Sequence, residues 1–448
     1  MTTRIFVDVT RTNREATYTG IQKVVRTTFR ALQAQAPAFD CEVVPIAIDD
    51  LGAYRLRELK AHPYEGGFSP PRSARSATEG AANFARRLLA RASRYGSENA
   101  ARLDIRLARS AVRRTMARWR KIRKLTSQFV RRSDYVTFQA GDILLLPDSA
   151  WGENPWSAVS DLKAAGGSLV SICYDLIPIS HPEFFPPSLA SAFKAYLERT
   201  VDLADHVVCI SKTVQSELDA FASRRLASPQ SHCVYPIVTV AEASAKPRAD
   251  LAAALSGRSI VIVSTIEPRK GHAILLDACE ALWKEGHELN LVVIGRVGWQ
   301  VHKLMARLDQ HRERGIRLFL FHDASDADVA YALRHATLMV FPSRAEGLGL
   351  PILEAEMSGC PTLCSDIPVF REIASSSTRF FSPHTGPALA AAIVPALADD
   401  AQATARTKLL SRPPQADATS YARALLSIMV APARATGRVE TDRPEVLS

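Results

Sequence analysis

Two glutamates eight residues apart, Glu346 and Glu354, bracket the segment with the most chemistry in this sequence, Phe341-Pro-Ser-Arg-Ala-Glu-Gly-Leu-Gly-Leu-Pro-Ile-Leu-Glu-Ala. The pattern reads as a strand ending at Phe341, a glycine-containing loop, and a helix starting near Gly349. Gly347 and Gly349 let the backbone approach a ligand closely. The amides of Gly347, Leu348, Gly349 and Leu350 lie at the helix start, where unpaired N–H groups and the positive dipole end suit a diphosphate. Glu346 falls before the helix and Glu354 in its second turn, and a carboxylate there can accept hydrogen bonds from sugar or ribose hydroxyls. On the glycines alone, a plain strand-to-helix turn with both glutamates in water is the simpler reading.

The wider pattern adds to this. The segment resembles the E-x7-E signature of the retaining glycosyltransferases of family four, and Gly359-Cys-Pro-Thr-Leu-Cys-Ser365 and Pro368-Val-Phe-Arg-Glu372 continue that family's pattern. Ile262-Val-Ser-Thr-Ile-Glu-Pro-Arg-Lys-Gly271 is similar to the family's first strand and loop of the nucleotide domain. The resemblance implies that Lys270 contacts the donor phosphates. Thr265 stands where the family often has an arginine, and Arg269 is a candidate substitute. A cation there would stabilise charge on a departing nucleoside diphosphate. The Glu-Pro-Arg-Lys variant and Gly295-Arg-Val-Gly-Trp299, read as a loop closing over the nucleotide, resemble the mannosyltransferase-like branch. Nearer the start, Tyr18-Thr-Gly-Ile resembles the family's glycine loop, with Gly20 at the matching position. Cys173-Tyr-Asp-Leu is similar to its His-Asp-Leu stretch. Asp175 keeps the acidic group, while Tyr174 occupies the usual histidine position; His181, in a proline-rich loop, is read as structural. Val208-Cys-Ile-Ser211-Lys-Thr-Val-Gln-Ser-Glu217-Leu follows the family's pattern as strand-to-helix architecture.

Elements able to hold these residues are written in the hydrophobic periodicity. Strand-like runs fall at 5–9, 143–146, 168–173 and 207–210, each followed by helical pattern, and again at 259–264, 291–294, 316–321, 338–341 and 362–364. Helical spacing occupies 275–283, 301–311 and 326–335. Strands alternating with helices imply parallel sheet covered by helices, an α/β class. The expected division is a first Rossmann-like acceptor domain over 1–240, a small-residue linker over 241–257, and a second, nucleotide-sugar-binding domain over 258–420. A closing helix over 421–430 and a disordered tail over 431–448 follow. The family resemblance implies the GT-B arrangement, two Rossmann-like domains facing across a cleft.

Charge separates one further segment. The chain of 448 residues carries +10, yet 72–132 alone holds 18 Lys/Arg against three acidic residues, which leaves the remainder near −5. We read 68–132 as a basic helical insertion in the first domain. It is either a solvated cover or an amphipathic surface for an anionic membrane, with Met116 and Trp119 dipping in. No aromatic-interleaved motif for nucleic acid accompanies it. Hydrophobic residues make up 47% and charged residues 23%, the balance of an ordinary globular protein. The first residues, Met1 to Val9, lack a basic region followed by a long apolar run, so a secretory signal is not expected, and the sequence holds no run of about 20 apolar residues. The seven scattered cysteines fit a reducing compartment, the cytosol, and peripheral attachment to the membrane's inner face follows only on the membrane reading of the insertion. Asp326-Ala-Asp328 has the spacing of a D-x-D cation site, but it sits where a helix begins, and we read it as helix capping.

The expected activity is retaining, metal-independent transfer of a sugar, mannose or a relative, from a nucleoside diphosphate sugar to a glycan or lipid-linked acceptor. Surface polysaccharide assembly is the expected setting, and no cofactor is expected. Glu346, Lys270 and Asp175 would be catalytic; Gly20, Arg269, Lys270, Gly295, the 347–350 amides and Glu354 would hold the donor. A non-catalytic nucleotide-sugar-binding scaffold is the alternative, and an epimerase of the same fold a more distant one.

Overall fold

The computed structural model describes residues 2–14, 20–49, 52–59, 134–148, 151, 154–225, 228–241, 248–398 and 417–430. The basic segment 68–132, residues 242–247 of the linker and the tail after 430 lie outside the described residues, so the expectations placed on them are not met or contradicted here; the described part of the expected linker includes a short helix, Ala249–Ala254.

Among the described residues the chain forms two sheets. The first contains β1 (Thr3–Asp8), β2 (Cys41–Asp49), β3 (Gly52–Arg55), β4 (Ile143–Leu146), β5 (Ser168–Cys173), β6 (His206–Cys209) and β7 (Gln230–Cys233). Its spatial order is β3-β2-β1-β4-β5-β6-β7, parallel throughout except for β3, which turns back on β2 in an antiparallel hairpin. The second contains β8 (Ser259–Val263), β9 (Asn290–Ile294), β10 (Leu318–Phe321), β11 (Leu338–Phe341), β12 (Thr362–Ser365) and β13 (Arg379–Phe381). It is wholly parallel, in the order β10-β9-β8-β11-β12-β13. Central strands such as β4 and β11 are buried at every position, as strands covered by helices on both faces must be.

Strands β2, β3, β7 and β13 go beyond the sequence expectation. β2 carries Pro45 and β7 is the polar run Gln-Ser-His-Cys, so neither shows the uninterrupted apolar stretch that marks their neighbours. Helix starts follow local capping chemistry. Ser325 caps Asp326–His335 and forms a capping box with Asp328, whose carboxylate accepts from the Ser325 N–H and hydroxyl. The Asp326/Asp328 pair thus serves a helix start. Ser211 likewise caps Lys212–Ala222, its Oγ accepting from Val214 N.

In both sheets the strand order reverses beside the first strand, between β1 and β4 and between β8 and β11. Doubly wound sheets open a ligand crevice at that point, beyond the carboxyl ends of the strands. The final helix, Ala418–Val430, returns to the first half and packs on the helix Gly20–Gln35. Its Tyr421, Ala422, Leu425, Leu426 and Met429 are buried, and Tyr421 Oη lies 3.0 Å from Thr28 Oγ1. No helix among the described residues is long and apolar enough to cross a membrane.

Candidate functional site

The loops that leave β8 and β11 at the second switch point carry a cluster of buried charge. After β8 the chain passes Glu267 and enters a short turn, Pro268–Lys270, closed by Gly271 at φ 73°. A side chain at 271 would collide with Pro342, since a Cβ there would stand 2.1 Å from its carbonyl oxygen. Glycine therefore lets the two loops meet. Lys270 Nζ donates to Glu346 Oε1 at 2.5 Å, and Arg269 Nη1 lies 2.9 Å from Glu346 Oε2. Arg269 also donates to the Ala345 carbonyl at 2.8 Å and to Glu267 Oε2 at 3.2 Å, and its own carbonyl accepts from Arg344 N at 2.8 Å.

The electrostatics follow from burial set against these partners. Burial alone would raise the Glu346 carboxyl, but Arg269 and Lys270 outweigh it and bring the pKa down to about 2. Burial and the neighbouring guanidinium lower the Lys270 ammonium, while Glu346 and Glu267 oppose the shift. Burial raises both Glu267 and Asp175, with Arg269 as the principal opposing charge. Two cations thus share one firmly ionised carboxylate and two reluctant ones.

The first half faces this cluster directly. Gly347 packs against the Tyr174 main chain so closely that a Cβ there would stand 1.9 Å from the Tyr174 carbonyl oxygen. The Gly347 carbonyl accepts from Ser211 Oγ at 2.7 Å. No acceptor among the described residues takes the N–H of Gly347, Leu348 or Gly349. Gly349, at φ 101°, leads into the helix Leu350–Met357. Asp175 turns its carboxylate onto Ile177 N at 3.1 Å while adding to the field at Arg269. Gly20 opens the opposing helix, and a Cβ there would lie 3.7 Å from Leu350 Cδ1. Glu354, one turn further on, pairs at 3.2 Å with Lys23 of that helix; burial raises its carboxyl and Lys23 pulls it back.

Most of the residues singled out in the sequence therefore converge. Gly295 plays a different local part: its N–H donates to Phe321 O and its carbonyl accepts from His322 Nδ1. Both of its polar groups are engaged within the second half. The loop it begins does reach across the cleft, for Trp299 Nε1 donates to the Phe184 carbonyl at 2.8 Å. Tyr174 donates its hydroxyl to Pro147 O at 2.6 Å, so its side chain is tied to the end of β4. His181 is half-exposed, pairs with Glu183 and stacks on Phe184, a structural setting. Sequence reasoning missed Lys23, Glu267 and Glu372. Lys23 and Glu372 gain their places from contacts across the halves that no local pattern encodes, and Glu267 from Arg269 two residues further on. Among the described residues no group of three or more His, Cys, Asp or Glu could hold a metal ion.

The family model for glycosyl transferases group 1 matches residues 245–412. The chain is 31% identical over 266 residues to the serotype-specific mannosyltransferase WbdA of Escherichia coli, covering 55% of this chain and 32% of that protein. It is 27% identical to the O-antigen chain mannosyltransferase B of the same organism, covering 52% of this chain and 61% of that protein. The chain thus spans about a third of WbdA's length. Among solved structures, Anabaena HepE in complex with UDP and glucose superposes with a TM-score of 0.57 at 14% identity, over 96% of this chain and all of that one. At that identity the likeness shows the fold, the GT-B arrangement.

Proposed function

We propose that this chain, a member of the group 1 glycosyltransferases of the mannosyltransferase-like branch, transfers a mannose or related sugar from a nucleoside diphosphate donor to a glycan or lipid-linked acceptor. The observation that carries the reading is the Arg269–Lys270–Glu346 cluster at the β8/β11 switch point, beside the N–H groups of Gly347–Gly349. Cations beside a helix-start loop suit a diphosphate whose charge grows as the sugar departs. Lys270 and Arg269 hold that charge, and no metal ion is needed for it. Glu346 positions sugar hydroxyls, Glu354 binds the ribose with Lys23 as its counter-ion, and Asp175 approaches from the first half. Among the described residues no side chain stands as a covalent nucleophile, so on this reading the leaving phosphate helps to deprotonate the acceptor on the same face and the anomeric configuration is retained. Mannosyltransferase relatives of O-antigen synthesis support a role in surface polysaccharide assembly, at the cytoplasmic face of the membrane.

The test is thermal-shift binding against GDP-, UDP-, dTDP- and ADP-sugars, with and without magnesium. A donor that stabilises the protein equally in both conditions is the expected result. Stabilisation only with magnesium would overturn the metal-free site. Binding without turnover on any acceptor would favour the scaffold alternative, which the engaged Tyr174 hydroxyl also fits.

A further inference from the structure

Glu372 belongs to the second half, near the end of the helix Pro368–Ile373, yet its carboxylate bonds to the first half. Oε1 accepts from Lys212 N at 2.6 Å and from Tyr235 Oη at 2.7 Å; Oε2 accepts from Thr213 N at 2.9 Å and Thr213 Oγ1 at 2.6 Å. Lys212 and Thr213 open the helix Lys212–Ala222, so their amides have no partner within it. A carboxylate from the other half caps them, with the helix dipole favouring its charge. Burial opposes ionisation of Glu372, and the donors from Thr213, Tyr235 and Lys212 outweigh it and lower its pKa.

The same turn touches the donor loop. Ser211, fully buried, caps that helix through Val214 N and donates its hydroxyl to the Gly347 carbonyl. Behind the loop, Gly349 sits against Phe370, where a Cβ would stand 2.8 Å from Cε1, and Phe370 shares a helix with Glu372. The contacts therefore close a ring: Glu372 to the Ser211–Thr213 turn, the turn to Gly347, Gly347 through the chain to Gly349, and Gly349 through Phe370 back to Glu372. Glu346 is bonded directly to one member of that ring.

We propose that Glu372 is a positioning residue that clasps the two halves together and so sets the Gly347 peptide, and with it Glu346, against the donor. The role of Glu346 rests on the glycosyltransferase reading above, but the clasp itself is observable without turnover. A disturbance at Glu372 is felt at the glycine loop although the carboxylate does not touch it.

Hydrogen exchange on the full chain tests this, comparing the parent protein with Glu372→Ala, Glu372→Gln and Thr213→Val. Expected is an increase of about tenfold or more, the size of a lost charge-assisted hydrogen bond, in both 211–215 and 344–350 for every variant. Exchange in β8 and β9 should stay unchanged. In turnover assays kcat should fall more than donor KM rises, since a misplaced Glu346 costs the reaction more than the binding. Loosening of 211–215 alone, with 344–350 unchanged in both Glu372→Ala and Thr213→Val, would reduce Glu372 to a helix cap and overturn the proposal. If Glu372→Ala fails to fold, Thr213→Val and Tyr235→Phe carry the same comparison from the first half. Coupled loosening in a protein that turns over no donor would support the clasp while removing the catalytic reading.

Discussion

Lys270 Nζ and Glu346 Oε1 lie 2.5 Å apart, seventy-six residues distant in sequence and both nearly buried, with Arg269 on the other carboxylate oxygen. The pair joins the two loops of the second switch point. Its ammonium is the cation best enclosed to meet a departing diphosphate. Lys270→Ala should lower kcat by about two to three orders of magnitude, the usual cost of losing one preorganised charge stabiliser. Near-normal turnover in a donor-saturated assay would remove Lys270 from that role.

Glu346 makes a prediction about acid stability. Its pKa in the fold is about 2, below the ordinary glutamate value near 4.3. A lowered carboxyl stabilises the fold above the unfolded value, and the contribution is lost as pH falls from about 4.3 towards 2. Glu346→Gln should flatten that part of the Tm-against-pH curve. It should also cost about 3–5 kcal/mol at neutral pH, because buried Lys270 loses its ion-pair partner and Arg269 keeps only Glu267. An unchanged acid limb in the variant would show that the pairing is not what holds Glu346 ionised.

Asp8 has the opposite sign. It ends β1, is 2% exposed, and bonds to the Thr10 N–H and hydroxyl; burial raises its carboxyl to about 7, with Thr10 opposing and Asp148 adding to the rise. A raised carboxyl is bound to its proton in the fold and ionised when unfolded, so its contribution is lost as pH climbs from about 4 to 7. Asp8→Asn keeps an acceptor for Thr10 and has no charge to bury. Its Tm should therefore exceed that of the parent at pH 8 by more than at pH 4. A constant difference across that range would show that Asp8 ionises without penalty.

The sequence disclosed the second half better than the first. β4, β5 and β11, and the helix Asp326–His335, lie at the expected positions because their apolar runs and caps are local. β2 and β7 escaped notice because Pro45 and a polar run disguise strands whose place is set by neighbours. The site divides in the same way. Glu346, Lys270 and the glycines stand in one recognisable spacing each. Lys23 and Glu372 acquire meaning only when helices from opposite halves meet, at Glu354 and at Thr213. The position of Gly295 was legible, but not the engagement of its backbone by Phe321 and His322.

Two glycines of similar crowding should separate folding from closure. At Gly295 a Cβ would stand 1.8 Å from Ser264 O, and φ is 152°, so both the space and the backbone forbid a side chain within the second half. At Gly347 the obstacle is the Tyr174 carbonyl of the first half at 1.9 Å, and φ lies outside the left-handed region. An alanine there strains nothing until the halves meet. Gly295→Ala should lower the melting temperature, at a cost of about 1–3 kcal/mol or more, as overpacked sites do. Gly347→Ala should melt within a degree or two of the parent but scatter X-rays as a more open particle, with turnover lost. Equal melting losses in the two variants would mean that the halves form one folding unit, in which closure cannot be separated from stability.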